Sequence, residues 1–236
     1  MRPLPDGALA TLASLDASLP RTVRVGLLLP WANIAVESEL ARVRLANVVF
    51  HHARLVPASR TTAIDSSFWH GLREASAQAL ESLSHVPLDA VVLACTSAGF
   101  TGGPALPAEV LTAFDALLGA LAASGATRVV LATPYPAPVT EAEAVALGDV
   151  GIQVLSHASL ELVDDYPQVT ADRVRGLMER LPREAVVAAD AVVLSCTGWH
   201  TLPVINELEH RFRKPVFSSN LAIALLAARV CAGVTP

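Results

Sequence analysis

A chain of 236 residues that is 53% hydrophobic and only 17% charged can bury a sizeable core, and its formal net charge of −5 offers no basic surface to nucleic acid. The composition excludes a disordered chain, and every long uncharged run is broken by Gly, Pro, Ser or Thr, so a soluble protein with neither nucleic-acid nor membrane partners is expected. Three cysteines, an odd number, fit free thiols in a reducing cytoplasm better than a disulfide framework.

Residues 1–21 read as an N-terminal extension in which Pro3, Pro5, Asp6 and Asp16 interrupt any signal-like apolar core. The apolar run Val23–Leu29 reads as the first strand. It leads into "PWANIAVESEL", where Asn33 opens a helix: an N-cap by residue type and, equally, a candidate ligand contact, with Glu37 in the first turn. A second strand is expected at Val48–Leu55. In "FWHGLREASAQALESL", Phe68, Leu72, Ala75, Ala79, Leu80 and Leu83 recur at three- and four-residue spacing and make one apolar helix face. Strand Ala90–Ala94 then runs into Cys95, Thr96 and Ser97, and Glu109–Ala123 reads as one long helix. Strands Arg128–Ala132 and Ile152–Leu155 follow, the first ending at "TPYP" with Tyr135 in the turn, either as a packing aromatic or as a ligand contact. After a helix at Thr170–Leu181, strand Ala191–Ser195 runs into Cys196, Thr197 and Gly198, and strand Val216–Ser218 with helix Leu221–Val230 closes the chain. Short strands alternating with helices predict an α/β fold with parallel sheets.

The chain also repeats itself. "DAVVLACTSAGF" at 89–100 is answered by "DAVVLSCTGWH" at 190–200. "RVGLLLP" and "RVVLATP" begin 104 residues apart (24 and 128), as do "VVF" and "IQV" (48 and 152), while Asp89 and Asp190 are 101 apart. Three strand starts in the same order at near-constant offset predict a duplicated half, hence two pseudo-symmetric lobes. Ligands of open α/β sheets bind beyond the carboxyl ends of strands, where Cys95 and Cys196 both fall. A lone cysteine is most often a small buried hydrophobe, which is how Cys231 reads. Two at matching strand ends, each followed by hydroxyls and free backbone N–H groups, read instead as a site, with the amides expected to lower the thiol pKa values. Cys196 and His200 stand four apart, and His51, His52 and His157 are available, but no CxxC or HExxH spacing supports a metal. "TGGP" at Thr101 lacks the Lys-Ser/Thr of a phosphate loop, and neither GxGxxG nor GxSxG occurs, so no nucleotide cofactor or serine elbow is expected.

Between about Val23 and Val230 the chain resembles the maleate isomerase group of the aspartate/glutamate racemase superfamily, to which arylmalonate decarboxylase is related. "GLLLPWAN", "CTSAG", "TPY", "SCTG" and "PVFSSNLA" carry the resemblance, in that order. It implies two α/β lobes, with residues 22–103 forming the first, 104–214 the second, and the last strand and helix, within 215–236, returning to the first. It implies a cofactor-independent site between two cysteines that takes a small carboxylate; the spacing of the candidate ligands predicts that the site needs no metal, and the hydrophobic composition predicts a homodimer. By position, Cys95 would be the nucleophile and Cys196 the proton donor, while Asn33, Thr96, Ser97, Tyr135, Thr197 and Gly198 would hold substrate carboxylates and Asp165 would stand where the group contacts substrate. The implied reaction is addition of a thiolate to a cis-alkene diacid, rotation about the new single bond and elimination of the trans isomer. An amino-acid racemase or arylmalonate-type decarboxylase on the same scaffold, and a non-catalytic small-carboxylate binding protein, are the alternatives.

Overall fold

Eight strands rich in Val, Leu and Ala assemble into two four-stranded parallel sheets in the computed structural model, which describes residues 22–45, 47–61 and 63–234. The N-terminal extension at 1–21 lies outside the described residues. The first half contains β1 (Val23–Pro30), α1 (Ala35–Leu40), β2 (Val48–Leu55), α2 (Ser66–Glu81), β3 (Ala90–Leu93), the short α3 (Ser97–Phe100), β4 (Val110–Thr112) and α4 (Ala113–Ser124). The second contains β5 (Arg128–Thr133), α5 (Ala137–Asp149), β6 (Gln153–Ser159), a 3-10 turn at Tyr166–Gln168, α6 (Ala171–Glu179), α7 (Arg183–Ala188), β7 (Ala191–Leu194), α8 (Leu202–Phe212), β8 (Val216–Ser218) and α9 (Ser219–Cys231). The sheet orders are β2-β1-β3-β4 and β6-β5-β7-β8, so the repeat read from the sequence is a repeat of topology. Parallel strands covered on both faces need continuous apolar side chains, which is why β1, β3, β5 and β7 are almost entirely buried.

The duplicated aspartates have a structural use. The Arg24 backbone N–H donates to Asp89 at 2.9 Å, and the Arg128 backbone N–H donates to Asp190 at 2.9 Å, so each carboxylate fixes the start of the central strand beside it. The Arg128 guanidinium also pairs with Asp190 at 2.8 Å and holds that carboxyl well below its ordinary range.

Two expectations need correction. Glu109–Ala123 is not one helix: Val110–Thr112 is β4, in parallel register with Val91–Leu93, and the helix begins at Ala113. Thr112 stops the strand and starts the helix, accepting from the Asp115 N–H while the Asp115 carboxylate accepts from Thr112, a reciprocal capping box. The lobe boundaries also differ at the level of strands. β4 falls within 104–214 yet closes the first sheet, and β8 falls within 215–236 yet pairs with β7 in the second. What returns to the first half is α9, which packs on α4, α1 and β1 and is buried along its whole length except Arg229. A helix apolar all round is one surrounded by protein, and one continuous core runs from β1 through α4 and α9 to the second sheet. Among the described residues no helix is long and apolar enough to cross a membrane.

Candidate active site

Each cysteine stands two residues beyond the end of a central strand, where parallel-sheet geometry exposes the backbone of the following turn. After β3, the Cys95 Sγ faces the Ser97 hydroxyl at 3.5 Å, with the Ser97 and Ala98 backbone N–H groups aimed at the sulfur. Trp69 on α2 donates to the same hydroxyl at 3.0 Å. Arg73, one turn further along α2, ties down the rest of this loop by donating to the Pro104 and Thr101 carbonyls, both at 2.9 Å, and to Ala98. After β7, Cys196 adopts φ of 112°, a region costly for any residue with a Cβ. Its N–H donates to the Ser219 hydroxyl at 3.0 Å, and the Gly198 N–H donates to its sulfur at 3.2 Å. Ser219 accepts a second bond, from Thr96 Oγ1 at 2.9 Å, so one buried hydroxyl on α9 fastens both cysteine loops.

Both sulfurs line a single cavity of about 90 Å³. Every residue expected at the site lines it too: Asn33, Thr96, Ser97, Tyr135, Asp165, Thr197 and Gly198. Asn33 fulfils its capping reading and lines the cavity. Its Oδ1 accepts from the N–H groups of Ala35 and Val36 at 3.0 and 3.1 Å, capping α1, while its Nδ2 donates to Thr197 Oγ1 at 3.1 Å across the lobes. Thr197 in turn donates to the Ala94 carbonyl at 2.8 Å. Arg54 on β2 steadies the Pro30–Asn33 turn through the carbonyls of both residues and pairs with Glu37. Tyr135 is buried, bonded through its hydroxyl to Cys196, and packed edge-on to Tyr166 with centroids 6.0 Å apart. Cys231 lies outside the cavity. The five histidine and cysteine positions considered for a metal do not converge, and no group of three metal-binding side chains exists among the described residues.

Amide donors were expected to lower the thiol pKa values, and here burial prevails. It pushes Cys95 above its ordinary 9.0 against the bonds from Ser97 and Ala98 and the nearby Arg73 charge, and it pushes Cys196 to about 12 against the bonds from Gly198 and Tyr135. Both thiols are therefore protonated at neutral pH, and Cys95 has a cationic neighbour while Cys196 has acidic ones, Cys95 and Glu143, whose ionisation pushes it up further.

Several contributors escaped sequence reasoning. Ile64, Phe68, Tyr166 and Pro167 give the cavity an apolar wall, and Asp164 joins Asp165 as an exposed residue of its lining. Glu39, only 1% exposed, accepts from the Thr201 and Leu202 N–H groups at 2.6 and 2.7 Å and from Asn220 Nδ2 at 2.8 Å. It caps α8 from the other half, since Thr201 makes no capping bond of its own. Its one trace in the sequence is the repeat: Glu39 and Glu143 are 104 residues apart (39 and 143), as the strand starts are.

The arrangement can hold a small carboxylate against neutral donors while two thiols reach it. Known proteins resemble the chain over most of its length. A family model described as arylmalonate decarboxylase matches residues 25–233. The maleate isomerase of Geobacillus stearothermophilus is 26% identical over 222 residues, 83% of this chain and 86% of its own. The arylmalonate decarboxylase of Bordetella bronchiseptica is 34% identical over 124 residues, about half of each chain. A cysteine-to-serine mutant of Nocardia farcinica maleate cis-trans isomerase, solved with a covalently bound succinylcysteine intermediate, superposes with a TM-score of 0.78 at 23% identity, over 90% of this chain and 94% of that one.

Proposed function

This chain belongs to the arylmalonate decarboxylase family, and from that premise we propose that it is a cofactor-independent cis–trans isomerase of a small unsaturated dicarboxylate of the maleate kind, working through Cys95 and Cys196. The observation that carries the reading is the pair of cysteines lining one cavity, with hydroxyls and amides beside them and the carboxylates of Asp164 and Asp165 at its exposed side. Similarity to maleate isomerases over most of the chain supports it.

In this mechanism the second Nδ2 hydrogen of Asn33, the Ser97 hydroxyl and the backbone N–H groups of Thr96 and Thr197 hold one carboxylate, the two threonine hydroxyls being committed to Ser219 and the Ala94 carbonyl, while Gly198 and Tyr135 keep the Cys196 sulfur oriented. Cys95, the thiol with a guanidinium nearby, passes its proton to a carboxylate of the bound dianion, which returns it to the Cys95 thiolate when that is expelled, and its sulfur attacks one alkene carbon. The π bond breaks, its electron pair moves to the other carbon, and the Cys196 thiol delivers a proton there. What results is a saturated thioether free to rotate about the former double bond. Return of the proton to Cys196 and expulsion of the Cys95 thiolate give the trans isomer. Bonds and electrons balance between substrate and two thiols, with no net redox change. The proposal includes a homodimer in a reducing cytoplasm, in keeping with three free cysteines.

A second reading, decarboxylation of a substituted malonate with Cys196 protonating the product carbanion, draws support from the apolar wall of Ile64, Phe68 and Tyr166 and from Asp164 and Asp165, which disfavour a second substrate carboxylate beside them. Proton NMR decides. Conversion of maleate to fumarate supports the isomerase. Inert maleate with CO2 released from phenylmalonate replaces it with the decarboxylase, and thermal stabilisation by either compound without turnover leaves a binding protein.

A further inference from the structure

The two repeat-related glutamates have unlike surroundings. Glu39 is saturated with donors, whereas Glu143 on α5, equally buried, has among the described residues one hydrogen-bond partner, the Ser195 hydroxyl, and its Oε2 is buried with none. Ser195 immediately precedes Cys196, whose backbone is held at φ of 112°. A carboxylate anion supported by a single hydroxyl is costly in a dry interior, and a neutral acid whose free oxygen carries the proton costs much less.

The charged and titratable groups around Glu143 come from each packed element. The turn after β5 brings Tyr135 and the end of β7 brings Cys196. α3 has only Ser97, Ala98, Gly99 and Phe100, with Cys95 before it and the Arg73 guanidinium bonded to its carbonyls. β6 carries His157 and α5 itself carries Glu141 and Asp149, all exposed. Among the described residues no cation pairs with Glu143. Burial accordingly raises its pKa to about 8, the bond from Ser195 countering only in part. The coupling reaches the site, since charge on Glu143 pushes up both Cys196 and Tyr135.

We propose that Glu143 is a positioning residue for Cys196: as a neutral acid bonded to Ser195 it lets the second thiol give up and regain its proton, and as an anion it blocks that exchange. The proposal rests on reading Cys196 as the proton-transferring thiol, so its first test uses no substrate. Iodoacetamide alkylation of Cys196, followed by peptide mass spectrometry across pH, compares the wild type with Glu143→Gln, in which the amide oxygen can still accept from Ser195. Below pH 8 the two should alkylate alike. Above it the variant should pull ahead by about fivefold or more at pH 9.5, because only the wild type acquires a negative charge beside the thiol. The ratio of variant to wild-type kcat/KM with maleate should climb over the same range, whatever its value at neutral pH. Should Glu143→Gln fail to fold, Ser195→Ala serves: loss of the bond that stabilises the anion should move the onset of slowed alkylation to higher pH. Identical alkylation profiles, or a flat kinetic ratio in an enzyme that does turn over maleate, overturn the proposal. An inert protein whose alkylation profiles still diverge supports it while removing the isomerase reading.

Discussion

Ser219→Ala removes one oxygen from the centre of the molecule. That oxygen is wholly buried and accepts from Thr96 Oγ1 at 2.9 Å and from the Cys196 N–H at 3.0 Å, so the substitution leaves two buried donors without partners. Each lost bond costs about 1 kcal/mol when its donor can find water and up to about 3 when it cannot. Alanine in the first turn of α9 returns about 0.5 kcal/mol through helix propensity. The expected destabilisation is therefore about 1.5–5.5 kcal/mol, read as a lower urea midpoint at unchanged slope. Turnover should fall further than stability explains. The φ of Cys196 persists because its surroundings impose it, and with its N–H released the loop can relax by a fraction of an ångström, enough for about a tenfold loss in kcat. Ser82→Ala is the control, because that exposed hydroxyl bonds only to the Ala79 carbonyl of its own helix and its loss should stay within about 0.5 kcal/mol. A Ser219→Ala protein with wild-type activity and a loss below about 1 kcal/mol would refute the claim that this hydroxyl fastens the loops.

Cys95→Ala and Cys196→Ala should each abolish turnover of maleate while retaining the circular-dichroism spectrum of the fold, and a chelator should leave wild-type activity unchanged; zinc-restorable loss on chelation would contradict this. Glu143 ties stability to pH. Because its pKa lies above its ordinary 4.5, at about 8, the folded state binds the proton more tightly than the unfolded chain, and stability falls as pH rises between those values, by about 5 kcal/mol in full. Urea titrations should show that slope reduced in Glu143→Gln, and parallel wild-type and variant curves would count against a neutral buried acid. Gly99→Ala should destabilise by about 2 kcal/mol or more and disturb the Cys95 loop, since a Cβ there would lie 2.5 Å from both Phe114 Cβ and Thr112 Oγ1; thermal melts and activity measure both effects.

Strands β1, β2, β3, β5, β7 and β8 were legible because long or β-branched apolar runs bounded by turns have few alternatives, and the repeat pointed to equivalent ends for the two cysteines. β4 was missed because three residues leading straight into "AFDALLGALA" leave no break in apolar periodicity, although the Thr112–Asp115 capping box was there to be read. Glu39, Arg73, Glu143 and Ser219 were missed for another reason. Each acts through hydrogen bonds to residues distant in sequence, and a buried polar side chain in an apolar helix carries no local sign of its partner. Asn33 could be read from type because its cap is local, while its bond to Thr197 could not.

Helix α9 has a consequence for how the molecule can be divided. Most of its surface is spent on α4, α1 and β1 from the first half, yet it leaves directly from β8 of the second sheet, and its Ser219 holds both loops. A lone first half of the present protein would therefore expose the apolar surface that α9 now seals. The two halves should melt in one cooperative transition, and separately expressed fragments cut between 103 and 127 should gain structure only when mixed, as complementing pieces of one folding unit.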